Sequence, residues 1–262
     1  MRTQVAIGER VEVLGCPVDA VSMDEAVRRC EDAIAAGTYL QHMSVNAAKL
    51  VAMGKEPALR EVIESCGLVT ADGQSVVWAA GLLGSPLPER VAGIDLMQRL
   101  LAAANEVGYR VYVLGARQDV LDRALANLRA THPRLTIAGS HHGYFDDADL
   151  PQICEAIRLA HADILFVAMS SPRKEYFLGE QGENLGVPFA MGVGGSVDVI
   201  AGVTRRAPVA LQRLGLEWAY RLWQEPRRLA RRYVETNARF AAMVLRALLT
   251  RRGSADGGAA SS

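Results

Sequence analysis

Cysteine is scarce and scattered. Cys16, Cys30, Cys66 and Cys154 form no CxxC pair, which argues against a zinc ribbon or a disulfide scaffold and points to buried thiols in a reducing compartment. No stretch of about 18 apolar residues is free of charge, so nothing is expected to span a bilayer. No apolar run follows a basic start, so no secretory signal is expected and the protein is placed in the cytosol. Aromatic residues are only 6% of the chain, too few for a stacking platform, and no nucleic-acid reading motif is present. Nucleic acid is therefore not an expected partner. His42, His132 and His161 are isolated, and the adjacent His141-His142 would point opposite ways on an extended chain. With no carboxylate or cysteine at matching spacing, a metal site is not expected.

Net charge is also missing, since 29 basic and 29 acidic residues cancel over 262 positions. The balance conceals an asymmetry. From Arg213 to Arg252 ten arginines face only Glu217, Glu225 and Glu235. That surplus of seven positive charges implies an anionic partner for the C-terminal part, by charge alone either a membrane surface or nucleic acid, the latter disfavoured by the missing reading motif.

What is present is alternation. Short apolar runs, each followed by helical periodicity, recur from Val11 to Val193. A first strand is predicted over Val11–Val18. Ser22, with Glu25 three residues on, should cap a helix that stops at Gly37. Further strands are expected to end at Ser44-Val45-Asn46 and, after Gly67–Thr70, at Ala71-Asp72-Gly73. A helix over Val76–Leu83 and a Pro-containing loop, Ser85–Arg90, follow. The clearest unit is a helix over Asp95–Val107, a strand over Arg110–Leu114, a turn at Gly115-Ala116 and a helix over Asp119–Ala130. Then come a strand over Leu135–Ala138, a loop over Gly139–Asp149, a helix over Leu150–Leu159, and strands over Ile164–Ala168 and near Phe189–Val193. Such alternation predicts right-handed βαβ crossovers: an α/β protein with a Rossmann-like, mostly parallel sheet and helices on both faces. After Arg205 strand signals stop, and arginine alternates with Leu, Ala, Trp and Tyr. The expected organisation is an α/β catalytic core over residues 1–203, a basic helical membrane-associating appendage over 204–250, and a disordered Gly/Ala/Ser tail over 251–262.

In parallel sheets, ligands gather beyond the carboxyl ends of the strands. Leu114-Gly115-Ala116 reads equally as a nucleotide-binding turn or a generic tight turn, because its GxGxxG is incomplete. The loop from Gly192 to Asp198 is richer, since Gly194 and Gly195 would let backbone N–H groups approach a phosphate. Asp72, at a strand end, can act as a general base or cap a helix. On position alone the cap is favoured. Asp147-Ala148-Asp149 matches a DxD metal pattern, with helix initiation the favoured reading.

Taken together, these motifs resemble one family, the bacterial WecG/TagA/CpsF glycosyltransferases of surface-polymer assembly. The likeness runs through Ser44-Val45-Asn46 (the family's Thr-x-Asn), Ala71-Asp72-Gly73, Glu89–Leu96, Gly143-Tyr144-Phe145, Ser171–Glu175 and Gly194–Gly202. It continues through Arg206-Ala207-Pro208, Leu216–Leu222 and Glu225-Pro226-Arg227, and so covers nearly the whole chain. The resemblance implies inverting transfer from a UDP-sugar to a polyprenyl-diphosphate-linked saccharide. The sugar would be N-acetylmannosamine, its uronic acid, or a related hexose or hexuronic acid. It also implies that Asp72 is the general base, which replaces the cap reading, with Ser44, Asn46 and Arg90 lining the pocket. Tyr144, Glu175, Gly194, Gly195 and Asp198 fall in the matching substrate-binding motifs.

One position departs. Where the family has Pro-Lys-Gln-Glu, this chain has Pro172-Arg173-Lys174-Glu175, so an amide that donates and accepts becomes a cation that only donates. Lys174 could serve the diphosphate, read a sugar carboxylate, or pair with a neighbouring Glu on the surface. Arg221, Arg228 and Arg231 match arginines implicated in membrane association, and Phe240, Val244, Leu245 and Leu248 are expected to insert shallowly. Neither metal nor cofactor is expected, and the protein should sit peripherally on the inner face of the cell membrane. A homo-oligomer is left open. The rival readings are a non-enzymatic nucleotide-binding module with a basic tail and, on the sheet alone, a nicotinamide dehydrogenase.

Overall fold

The structure, a computed structural model, describes residues 9–257 except Leu214 and Glu225. The side chains at 213, 228, 229, 231, 232 and from 251 onward lie outside that description. The expectations for the Arg228 and Arg231 side chains, and for the tail after Gly257, therefore fall beyond what it describes.

The chain opens with two short strands, β1 (Arg10–Val13) and β2 (Cys16–Asp19), paired antiparallel. The single strand predicted over Val11–Val18 is thus a hairpin. Leu14 and Gly15 both take positive φ, 54° and 79°, as a two-residue turn of this kind requires. A leucine there gave no turn signal. Helix α1 (Met23–Ala36) has the expected ends: Ser22 Oγ accepts from the Glu25 N–H at 3.2 Å, and Gly37 closes it in the left-handed region.

There follow β3 (Leu40–Val45), α2 (Ala47–Met53), α3 (Pro57–Ser65), β4 (Leu68–Ala71), α4 (Gln74–Leu82), α5 (Gly93–Val107), β5 (Arg110–Gly115) and α6 (Gln118–Thr131). Next are β6 (Thr136–His141), α7 (Leu150–Leu159), β7 (Ile164–Ala168), α8 (Arg173–Gln181), β8 (Phe189–Gly192) and α9 (Ser196–Ile200). The strand predicted to stop at Ala138 runs to His141 as an edge strand, paired with β5 up to Leu114 with a one-residue register shift at Ala138. Its polar sequence hid the last turn of pairing.

Six strands form one parallel sheet in the order β4-β3-β8-β7-β5-β6, so the α/β expectation holds. The inner strands β7 and β8 are apolar throughout because both faces are covered, whereas β3 carries Gln41, His42 and Ser44. One core packs α1, α5, α6 and α9 against the sheet, and two others lie beneath α2–α4 with the hairpin and beneath α7–α8. All four cysteines are free and buried.

Three helices end the chain: α10 (Val209–Arg213), α11 (Glu217–Gln224) and α12 (Pro226–Gly257). Helix α12 returns across α2. The expected shallow insertion is corrected here. Phe240 is buried in the cluster that holds Leu50 and Val51, and Val244 packs against it. That stripe covers apolar core surface, a more favourable use of it than solvent exposure. Leu245 stays exposed. Among the described residues, no helix is long and apolar enough to cross a membrane.

Candidate active site

The carboxyl ends of β4 and β3 adjoin, and the first group of site residues meets there. Beyond the last paired residues, the Asp72 N–H donates to the Val45 carbonyl at 2.9 Å, which carries the ladder one step past the strand. The Val91 N–H in turn donates to Ala71 at 3.0 Å, laying the Arg90 segment alongside. Helix α4 takes Gly73 as its cap, with no side chain bonded to its N-terminus. Asp72 is therefore not spent on capping. Burial pushes its carboxyl above the ordinary carboxylate range; the Arg90 cation opposes this and Glu217 adds to it.

Asn46 caps α2, its Oδ1 accepting from the Lys49 N–H at 3.1 Å. Its NH₂ remains the group it can offer a ligand. Ser44 faces the start of α5 so closely that a Cβ on Gly93 would sit 2.9 Å from its hydroxyl. Only glycine lets the backbone approach there.

The Arg90 segment has a hidden support. His42, completely buried, meets Thr70 Oγ1 through Nε2 at 2.9 Å, and the Thr70 hydroxyl donates to the Val91 carbonyl at 3.3 Å. Because the hydroxyl hydrogen goes to Val91, His42 must donate through Nε2. Burial, with Lys49 adding to it, lowers its pKa to about 3, so the ring is neutral. Read along the sequence, His42 is merely isolated.

Arg90 is not free. Its Nη1 lies 3.3 Å from Glu217 Oε2 on α11, and its Nη2 lies 3.9 Å from Asp95. Arg206 grips Asp95 through two bonds of 2.5 and 2.7 Å, and Arg221 reaches Glu217 at 3.6 Å. The appendage is thus tied into the site by alternating charges. Glu217 lies inside the Leu216–Leu222 motif, and its place as one of only three acids among ten arginines is the signal the sequence carries for it.

A second cluster sits at the start of α8. Lys174 is buried, with its stem over Gly192, whose added Cβ would lie 3.1 Å from the lysine Cδ. Lys174 Nζ and Lys49 Nζ approach the same oxygen, Glu175 Oε1, at 2.8 and 2.9 Å. Glu175 is fully buried and its Oε2 has no hydrogen-bond partner among the described residues. Burial alone would raise the Glu175 pKa, but the two ammonium groups outweigh it and hold it down. Burial, helped by Lys49 and opposed by Glu175, lowers Lys174. The surface pairing considered for Lys174 is corrected: it does pair with Glu, but inside the protein, and the trio carries one uncompensated positive charge. Lys49 was missed because a lysine on a short helix reads as a solvated face.

Gly194 (φ 51°) and Gly195 form the turn between β8 and α9, and Asp198 follows in the first turn of that helix. Farther along the edge, past β5 and β6, Arg117, Gln118, His142 and the exposed Tyr144 line a cavity of about 270 Å³. The Tyr144 N–H donates to His142 Nδ1 at 3.2 Å, which leaves the proton on Nε2, facing away. Three strand spacings separate β3 from β5, about 14 Å. The site residues thus fall into an Asp72 group, a Lys174 group and a Tyr144 group along one edge. Asp147 lines a different cavity, of about 310 Å³, with Phe145 and Tyr176, and Asp149 Oδ2 accepts from the Asp146 N–H. Among the described residues, no three His, Cys, Asp or Glu side chains gather where they could hold a metal ion.

The profile of the glycosyl transferase WecG/TagA/CpsF family matches residues 11–254. An N-acetylglucosaminyldiphosphoundecaprenol N-acetyl-beta-D-mannosaminyltransferase of Staphylococcus aureus strain MW2 is 31% identical over 230 residues, covering 85% of this chain and 87% of its own length. The protein of the same name from strain NCTC 8325 / PS 47 matches to the same extent.

Proposed function

The chain belongs to the WecG/TagA/CpsF family and is a glycosyltransferase; from that premise we propose that it moves a sugar from a UDP-sugar to a polyprenyl-diphosphate-linked saccharide, with inversion. The relatives named above act, by their names, on such a lipid-linked sugar and transfer N-acetylmannosamine. The non-enzymatic binding module is set aside by this membership.

The observation that carries the reading is the meeting of Asp72, Asn46 and Arg90 at the adjoining ends of β4 and β3. The acceptor hydroxyl attacks the anomeric carbon, its proton passes to Asp72, and the bond from that carbon to the diphosphate oxygen breaks. Burial raises the Asp72 pKa, which makes its carboxylate a stronger base for the acceptor proton. One displacement inverts the anomeric centre. Charge then develops on the departing UDP. Arg90, the Lys49–Glu175–Lys174 trio with its surplus charge, and the Gly194–Gly195 amides are the groups that stabilise it. The uridine would occupy the cavity lined by Arg117, Gln118, His142 and Tyr144, with the Tyr144 ring as stacking surface and His142 Nε2 as donor. A donor laid in this way spans the edge from the end of β5 to the end of β3, about 14 Å, with its sugar at Ser44 and Asn46. Arg221, with Arg228 and Arg231, would hold the appendage at an anionic inner membrane face.

A panel of UDP-sugars with a synthetic prenyl-diphosphate sugar acceptor tests the reading. Asp72→Asn should lower kcat by about 10²–10⁴-fold while UDP still binds. Near-normal turnover by that variant would remove Asp72 from the role of base.

A further inference from the structure

All three tryptophans of the chain are on the surface: Trp78 is 58% exposed, Trp218 45% and Trp223 76%. The core took none of them. Leu82, one turn beyond Trp78 on the same stripe of α4, is 66% exposed, while Val76, Ala79 and Ala80 fill the buried stripe. Helix α4 is therefore apolar on both sides, and no charged residue occurs from Gly73 to Pro88. A helix on the surface of an α/β core ordinarily carries its charges outward.

This face is continuous with the appendage. Gly215, at φ 71°, brings the turn before α11 against α4, where an added Cβ would lie 2.8 Å from Gln74 and 3.6 Å from the Trp78 ring. Helix α11 has no buried residue and bears Trp218 and Trp223. Both helices begin at the site: α4 starts two residues after Asp72, and α11 starts with Glu217, the partner of Arg90.

We propose that the outward face of α4, Trp78 and Leu82, joins Trp218 and Trp223 in a surface that seats in the headgroup boundary of an anionic bilayer. The catalytic core itself, and not the appendage alone, then touches the membrane. Charge complementarity selects this occupant: Trp218 and Trp223 belong to the stretch from Arg213 to Arg252, with its seven surplus arginines. Tryptophan favours the membrane–water boundary, and basic residues favour an anionic leaflet. The inference rests on the reading of a lipid-linked acceptor. It explains how such an acceptor reaches Asp72, since the carboxyl end of β4, where Asp72 precedes α4 by two residues, would face the bilayer.

The placement of all three tryptophans makes the test direct, because indole emission reports only this face. The full chain carrying Trp218→Phe and Trp223→Phe retains Trp78 alone. With phosphatidylglycerol-containing vesicles its emission should shift to the blue, and acyl-chain brominated lipid should quench it. In the otherwise unaltered chain, Trp78→Ser with Leu82→Ser should weaken vesicle partitioning by about tenfold or more. Transfer to a short-prenyl, water-soluble acceptor should stay within about twofold. Vesicle binding without quenching of Trp78 would overturn the proposal in favour of docking by the appendage alone. A blue shift that follows protein concentration without vesicles would overturn it in favour of a second copy of the chain. If the unaltered chain transfers nothing to the soluble acceptor, the functional reading fails, whatever the quenching shows.

Discussion

Glu175→Gln is the sharpest perturbation the fold offers. The carboxylate holds two ammonium groups within 2.9 Å of one oxygen, so the two nitrogens are less than about 6 Å apart. Neutralising it removes both attractions and leaves two like charges together, repelling by about 3 kcal/mol at an effective dielectric of about 20. Deprotonation of Lys174, whose pKa is already lowered, limits the damage. The expected loss is about 3–5 kcal/mol, the usual result of removing one partner of a buried ionic group. In a chain of this size that lowers Tm by on the order of 10 °C. The pH dependence gives the mechanism away. Glu175 has a folded pKa below its unfolded 4.5, so its contribution is present above that value and is lost as pH falls through the folded one. In the variant Lys174, whose pKa is already lowered, loses its carboxylate partner, so the unfolded chain binds more protons up to about pH 10.5 and stability recovers as pH rises. The difference between parent and variant should peak near neutrality and shrink on both sides. Lys174→Gln should cost less, because Lys49 still neutralises Glu175. Urea denaturation at pH 4, 7 and 9.5 measures all of this. A Glu175→Gln loss under about 1 kcal/mol at pH 7, or one that does not vary with pH, would refute the reasoning.

Three further outcomes are expected. Lys174→Gln should weaken UDP and every UDP-sugar alike, by about tenfold or more for a lost charge-assisted contact; a penalty confined to acidic sugars would reassign Lys174 to a sugar carboxylate, and unchanged kinetics would leave it a partner of Glu175 only. The acid limb of kcat/KM should fall above the ordinary carboxylate value of 3.8, since Asp72 must be ionised to accept a proton and its pKa is raised; activity then grows as pH rises through that limb, and Asp72→Asn abolishes the limb. Transfer rates should be equal with and without EDTA, Arg90 and the lysine pair doing for the leaving group what a divalent ion does elsewhere; loss on chelation, restored by Mn²⁺ or Mg²⁺, would redirect attention to Asp147 and Asp149.

Features written in local chemistry were legible in the sequence. Ser22 and Gly37 bound α1 because capping is a matter of a few neighbouring atoms, and β5 is plain because a strand covered on both faces must be apolar throughout. The hairpin at Leu14-Gly15 was not legible, since leucine at positive φ is a tertiary demand on a residue that does not advertise it. Neither was the end of β6, whose polar edge residues pair with β5 without a hydrophobic pattern. In the site, the strand-end places of Asp72 and Asn46 were legible, but position alone favours a cap for Asp72, and the roles of both come from the family resemblance. The parts played by Lys49, His42 and Glu217 were not legible, because each takes its meaning from a partner far along the chain: Glu175, Thr70 and Arg90.

The return of α12 across α2 has a consequence for how the protein is made. Leu50 and Val51 emerge early in synthesis, and their cover, Phe240, follows about 190 residues later. At roughly 5–20 residues per second the ribosome needs about 10–40 s to supply it. During that interval an apolar surface one helix away from the catalytic strands stands open on the nascent chain. Fragments released before Phe240 would carry the same exposed surface for good, and should be recovered as aggregates even though every strand of the sheet is present in them.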